Sequence, residues 1–530
     1  MQVDYLIIGA GSAGCAVASR LSEDAAVTVL LLEAGGRDDS NPLADIVRIP
    51  AHYGDLFQTK GDWNYQTVPQ AGLAGRREYI PRGKLLGGSS SMNAMVYQRG
   101  HPSDYDGWAR AGNAGWAYAD VLPYFLRMQH QERGATPHHG SGGPLNVADL
   151  RDPNPLSQAF VAAALECGFR HNRDFNAGEQ EGFGLYQVTQ KDGERCSAAV
   201  AYLRPARGRA NLTVQSDALV TRLLFEGRRC VGAEYRRGGE RQEVRVHREV
   251  VLCGGAINSP QLLLLSGVGP AAELAEHGIP LVRDVPGVGQ NLMDHLHAPI
   301  AHHCTQPLSL LNKELPEERA RYAAERRGIL TSNHGEAGGF VRINPAAPAP
   351  EVQFHFGPDF FVLHGFHPIE GHGYTILAGL VGTRSRGALR LQSADPLAPP
   401  AIDPAIFADE RDLEGMLFAL RLGRKIAAAP AFAPYRGPEA LPGPAVQTNA
   451  ELRDYLRQYT TTIYHPVGTC KMGATSDRLA VLDTRLRVHG LEGLRVADAS
   501  MMPTMINANT NAPCMMIGER AADFIHEDHS

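Results

Sequence analysis

The sequence predicts an α/β fold in which a Rossmann-like dinucleotide-binding domain is interleaved with a second domain built on a mostly antiparallel sheet. Three observations predict it. A strand, glycine loop, helix, strand and acid follow one another at the N-terminus; short buried strands ending in glycine or acid return near residues 250 and 495; and 530 residues exceed the size at which one hydrophobic core usually stops growing.

Asp4-Tyr5-Leu6-Ile7-Ile8 has the apolar character of a strand buried on both faces, and it runs into Gly9-Ala10-Gly11-Ser12-Ala13-Gly14. Residues 13–21 continue as a helix. Gly9 makes the tight turn, Gly11 lets backbone N–H groups approach a diphosphate, and Gly14 lets helix and strand pack closely. The diphosphate then rests on the helix N-terminus, at Gly11, Ser12 and Ala13. A second strand over 27–32 ends in Glu33 and Ala34, with Glu33 placed 19 residues past Gly14, the spacing of a ribose-binding acid. This motif does not separate NAD from FAD.

Other segments bear on that choice. Residues 82–100 put Gly87, Gly88 and three serines ahead of a helix-forming run, a loop that offers N–H groups and hydroxyls to a cofactor. Residues 250–260 form a buried strand that breaks into Gly254-Gly255 and is followed by an apolar helix. Residues 494–500 repeat strand and acid at Asp498, ahead of the polar run Asn507 to Pro513. Cofactor segments therefore come from both chain ends.

Composition excludes several classes. A net charge of -6 offers no general attraction to nucleic acid or anionic lipid. No apolar run approaches the roughly 20 residues of a membrane-spanning helix. A first strand beginning at Val3 leaves no room for a signal peptide, and eight scattered cysteines without a C-x-x-C pair read as reduced thiols. A cytoplasmic protein is expected, with peripheral attachment to the inner face of a membrane compatible with these features.

With these motifs in order, the sequence resembles the glucose-methanol-choline (GMC) oxidoreductase family, in particular its choline dehydrogenase-like branch. The resemblance rests on residues 87–93, 255–269, 286–295 and 465–470 and the Asn509 region. It implies non-covalent FAD, since Met92 stands where some relatives carry a histidine that links to the flavin. It also implies that Asn93, Ala94, Met95 and Val96 lie along the isoalloxazine, that Val220 touches the adenine, and that Asp498 and Asn511 hold the ribityl or pyrimidine side. Leu86, Gly87, Ser91, Ala499 and Thr510 join the expected cofactor contacts.

The implied reaction is oxidation of a primary alcohol to the aldehyde by hydride transfer to flavin N5, with electrons passing to a quinone or another acceptor. Removing hydride from an alcohol carbon also requires the hydroxyl proton to leave, which a histidine does well near neutral pH. His465 precedes Pro466, which disfavours helix and promotes an extended loop. Asn509, 44 residues on, is the family's second active-site position and suits an orienting amide donor. Alternatives are choline oxidation, an oxygen-using alcohol oxidase, and a hydroxynitrile lyase carrying a redox-silent FAD. The pairs His295/His297, His302/His303 and His138/His139 lack the carboxylate or cysteine pattern of a metal site, so none is expected.

Domain segments are expected at 1–155, 211–300 and 466–530 for FAD, and at 156–210 and 301–465 for substrate. A strand near Leu389 is expected in the antiparallel sheet. The pocket is expected between residues 333–340 and 353–367, with Trp63 and Tyr65 nearby. Glu336 would meet a quaternary ammonium if it faced the pocket, and otherwise serves as a structural acid; Phe356 would line the site.

Overall fold

A computed structural model describes residues 1–40 and 42–529. Its first sheet is assembled from three separate stretches of chain. Gln2–Ile8 pairs in parallel with Val29–Leu32 on one side and with Glu240–Leu252 on the other. Leu212–Gln215 extends the parallel part beyond Val29–Leu32, and Leu494–Val496 joins the far end of Glu240–Leu252. The other half of that 13-residue strand turns antiparallel, carrying Arg229–Arg237 and then Ala218–Glu226. The central strands are apolar because helices cover both faces of a parallel sheet. Leu6, Ile7, Leu30, Leu31, Val250 and Val251 are all fully buried.

The second sheet is antiparallel, in the order Arg436–Leu441, Leu296–Cys304, Gly373–Leu380, Val352–Gly357, Ala337–Val341, Gly182–Leu185. Its strands obey the two-residue period strictly. Phe354, Phe356, Tyr374 and Ile376 point into a core shared with the helices Pro155–Glu166 and Glu410–Ala427. The alternate residues His297, His355, Thr375 and Leu377 face the opposite way and roof a long cleft over the first sheet.

Four details depart from the sequence reading. The strand Leu296–Cys304 crosses the expected boundary at 300. Cys196, Ala199 and Tyr202 pack into the first core, so the end of the 156–210 segment serves the cofactor lobe. Gly387–Arg390 is a strand, but it pairs with Gln290–Leu292 and Ala401–Asp403 in a small separate sheet. Residues 92–100 form no helix: Met95 adopts φ 55°, its carbonyl accepts from Thr189 N at 2.8 Å, and Tyr97 N donates to Gln187 O, also at 2.8 Å.

The long C-terminal helix Asn511–His529 packs along the first helix, Ser12–Leu21. Their crossing is close, since a Cβ on Gly518 would sit 2.5 Å from Ala13 O. The glycine loop is as tight. A Cβ on Gly14 would lie 1.9 Å from the Gly9 carbonyl oxygen, whereas one on Gly11 would meet nothing nearer than Cys253 O at 3.9 Å. Gly14→Ala is therefore expected to lower the melting temperature of the cofactor-free chain by an overpacking cost of about 1–3 kcal/mol. Gly11→Ala should leave that melt unchanged, and equal losses in the two variants would contradict the assignment of their roles.

Candidate active site and cofactor cleft

The cleft between the sheets encloses about 2240 Å³, including the solvent at its mouth. Its floor starts at Gly9, Gly11, Ser12 and Ala13. Gly11 caps the first helix without a side-chain hydrogen bond, leaving first-turn N–H groups free for an anion. Glu33 accepts from Ala10 N at 2.8 Å and from Gly35 N at 2.9 Å, one bond to each oxygen. Two lone-pair positions stay open for ribose hydroxyls. Burial raises this carboxyl to about 7 against the pull of those N–H donors. The second helix N-terminus, at Thr510, Asn511 and Cys514, opens onto the same cleft, and Ser12 Oγ donates to Asn511 Oδ1 at 2.7 Å.

Asn93, Ala94, Met95 and Val96 line the cleft, as do Ala34, Val220, Asp498 and Ala499. Arg195, with its pKa lowered to about 9 by burial, donates to both Asn93 O and Asn93 Oδ1 and so holds this strip in place. Asp498 has little left to offer a ligand. Gly255 N and Ser259 Oγ donate to one of its oxygens, Ser500 N and Ser500 Oγ to the other, and a carboxylate has about four such positions. Its work is to tie the ends of two strands together and to place Ala499.

Several expected contacts lie elsewhere. Gly14, Leu86, Gly87 and Ser91 are outside the lining and shape the loops behind it: Gly87 N donates to Ala10 O at 2.8 Å, and Ser91 Oγ donates to Leu86 O at 2.8 Å. Glu336, 1% exposed, accepts from Asn154 N, Ser157 Oγ and Ser332 Oγ, so it is a structural acid rather than a substrate contact. Phe356 is corrected as well. It stacks on Phe160 at 4.9 Å inside the second core, because its even-numbered place in the strand turns it from the cleft. The same alternation picks out His355 as the residue that faces inward.

His465 and Asn509 meet on the wall of the cleft. Asn509 Nδ2 lies 3.4 Å from His465 Nε2, while Asn509 Oδ1 accepts from Gln353 Nε2 at 3.0 Å, which orients the amide with its N–H groups toward the histidine. The other side of His465 has a partner the sequence reading missed: its Nδ1 lies 3.0 Å from His295 Nδ1, and His295 Nε2 lies 3.0 Å from Ile506 O. Asp294 Oδ1 accepts from the backbone N–H groups of both His295 and His465 at 2.8 Å.

These contacts fix the proton positions. A carbonyl oxygen only accepts, so His295 Nε2 carries the hydrogen. Burial lowers His295 to about 3, which leaves it neutral, with Nδ1 as a lone pair. His465 Nδ1 must then be the donor, and its Nε2 is left unprotonated beside Asn509. Burial, reinforced by His295, His355 and Arg82, holds His465 well below its ordinary value. Tyr53, Phe57, Phe361 and Tyr464, which precedes His465, form an aromatic group on the cleft wall, with Phe57 and Tyr464 edge-to-face at 5.8 Å. Of these rings, the expected pocket segment 353–367 contains Phe361, and Tyr53 and Phe57 lie outside the segments expected to wall the pocket.

Residues 3–297 and 383–518 each match a GMC oxidoreductase family profile. The chain is 46% identical to mitochondrial choline dehydrogenase of Mus musculus, over 99% of this chain and 89% of that one. It is 45% identical to an alcohol dehydrogenase (acceptor) of Pseudomonas putida, over 98% and 95%. The crystal structure of pyridoxine 4-oxidase from Mesorbium loti superposes with a TM-score of 0.90 at 35% identity, covering 100% of both chains. The protein belongs to the GMC oxidoreductase family, and FAD is its cofactor. The free helix-terminal N–H groups, the two open positions on Glu33 and the strip held by Arg195 are the features that suit that dinucleotide. Among the described residues no helix is long and apolar enough to cross a membrane.

Replacing Glu336 by Gln is expected to lower the melting temperature and leave KM for every alcohol unchanged. Its loss weakens charge-assisted bonds at a site closed to substrate, an effect of about 1–3 kcal/mol. A selective rise in KM for a cationic alcohol would contradict this placement.

Proposed function

We propose that the protein oxidises a primary alcohol to its aldehyde with His465 as the base. The observation that carries this reading is His465 on the wall of the cleft, with Nδ1 3.0 Å from His295 Nδ1 and Nε2 3.4 Å from the Asn509 amide, contacts that leave Nε2 as the lone pair. FAD supplies the hydride acceptor. The chain's own residues handle the proton and the oxygen. An alcohol oxygen placed between His465 Nε2 and Asn509 Nδ2 gives its proton to the histidine and accepts a hydrogen bond from the amide as negative charge develops. His465 becomes an imidazolium whose Nδ1–H still donates to His295 Nδ1. Gln353 keeps the amide from turning, and Asp294 holds the backbone of both histidines.

The Pseudomonas putida relative is named an alcohol dehydrogenase (acceptor), which supports an acceptor such as a quinone, whereas relatives at 43% identity are named oxygen-dependent choline dehydrogenases. A quinone acceptor would have the protein work from the cytoplasm at the inner membrane face. The lyase alternative has no support from the relatives named above, all of them dehydrogenases or oxidases.

A specific observation favours choline among the alcohols. Asp359 lines the cleft beside Tyr53 and Phe361, and only one of its oxygens has a partner, His334 Nδ1 at 2.6 Å. A carboxylate among aromatic faces suits a quaternary ammonium group. Asp359→Asn is expected to raise KM for choline while leaving that for an uncharged alkanol unchanged; equal changes for both would remove choline from consideration.

His465→Ala should slow anaerobic flavin reduction by alcohol about 10²–10⁴-fold with the flavin still bound. Because the folded-state value is depressed, the base form persists as pH falls through 6.5. The acid limb of the reduction rate is therefore expected below pH 6.5. A limb at or above 6.5, absent from the His465→Ala profile, would contradict the burial of this base.

A further inference from the structure

After Gly357 the chain leaves the second sheet and covers the substrate end of the cleft, with Asp359 and Phe361 on the wall. Leu363, His364 and Gly365 follow with φ of 45°, 67° and 84°. Left-handed backbone costs about 1–2 kcal/mol for each residue that has a Cβ, so this turn must be held from outside. Its near end is tied to the sheet: Phe361 N donates to Thr375 Oγ1, which donates to Asp359 O.

Its far end depends on His364. The buried ring has Nε2 at 2.9 Å from Glu78 Oε1 and Nδ1 at 2.7 Å from Tyr464 Oη. Glu78 is completely buried, and its other oxygen pairs with Arg76. Nε2 thus stands at ion-pair distance from Glu78 without the alignment of a hydrogen bond, and Nδ1 shares a hydrogen bond with the Tyr464 hydroxyl. Tyr464 is itself left-handed, at φ 67°, and its carbonyl accepts from Arg82 Nη1 at 2.7 Å. The residue that precedes the base is thus gripped at both its hydroxyl and its carbonyl.

We propose that Glu78 and His364 are positioning residues for alcohol oxidation: His364, seated on the buried Glu78 carboxylate, clamps the 358–367 segment to Tyr464 and so holds the aromatic wall and the backbone that aims His465 in one arrangement. This rests on His465 acting as the base. Neither Glu78 nor His364 is among the residues that line the cleft, whereas Tyr464 is, so they act through Tyr464.

The test compares His364→Ala, Tyr464→Phe, the double variant and His364→Gln as holoenzymes. Flavin reduction at saturating alcohol should slow about 10–100-fold in His364→Ala, the scale of a small misplacement at a reacting centre. Hydrogen–deuterium exchange should quicken across 358–367 and 462–466. Tyr464→Phe removes a single oxygen without threatening the fold and should move both readouts the same way. The double variant should be no slower than His364→Ala, since both changes break one contact. His364→Gln, whose amide can donate to Glu78 and accept from Tyr464, should recover part of the rate and of the protection. Additive losses in the double variant, unchanged exchange in Tyr464→Phe, or no recovery in His364→Gln would each overturn the clamp. If no alcohol reduces the unaltered holoenzyme, the proposed function falls, and the exchange comparison still decides the clamp.

Discussion

A backbone carbonyl can only accept a hydrogen bond, and the one at Ile506 determines the chemistry of the site. Its position 3.0 Å from His295 Nε2 sets the tautomer of His295. That tautomer sets the hydrogen on His465 Nδ1, and the lone pair on His465 Nε2 follows. For the proposed base no ionised partner is needed, because burial disfavours the charged form of His465 and the relay of contacts chooses which nitrogen is free. Ile506 immediately precedes the polar run that carries Asn509, so one stretch of chain supplies the amide donor and the acceptor that orients His465.

The fold brings these groups together through two sheets with different rules. The parallel sheet ends at the glycine loop and at Glu33 and Asp498, where strand ends and two helix N-termini open onto one cleft that suits a dinucleotide. The antiparallel sheet has one face buried on helices and one face over the cleft, so alternate residues divide between packing and chemistry. Gln353 and His355 belong to the second set, Phe354 and Phe356 to the first. A one-residue change of register would exchange them.

How much of this was legible in the sequence follows from the range of the interactions involved. The glycine loop was readable because its constraints are local: Gly9 needs φ 101°, and Gly14 must approach the Gly9 carbonyl within one turn. His465 and Asn509 were readable through their motifs and through Pro466. The partnership of His295 with His465 was not, because it spans 170 residues and depends on Asp294 binding both backbones. Glu336 and Phe356 were proposed for the pocket by residue type alone. The alternation in residues 352–357 already separated Phe356 from His355, and the hydroxyl donors that satisfy Glu336 come from Ser157 as well as from its neighbour Ser332. Residues 92–100 looked helical by propensity, and tertiary bonds from Arg195 and Thr189 override it.

The most direct test of this account reads the protons themselves. Nitrogen-15 NMR of the histidine-labelled holoenzyme at neutral pH, with the His465 signals assigned by their loss in His465→Gln, reports which ring nitrogen bears hydrogen. The account predicts a protonated Nδ1 and a bare, pyridine-like Nε2 on His465, paired with the opposite tautomer on His295. A protonated Nε2 on His465, or an imidazolium at neutral pH, would contradict it.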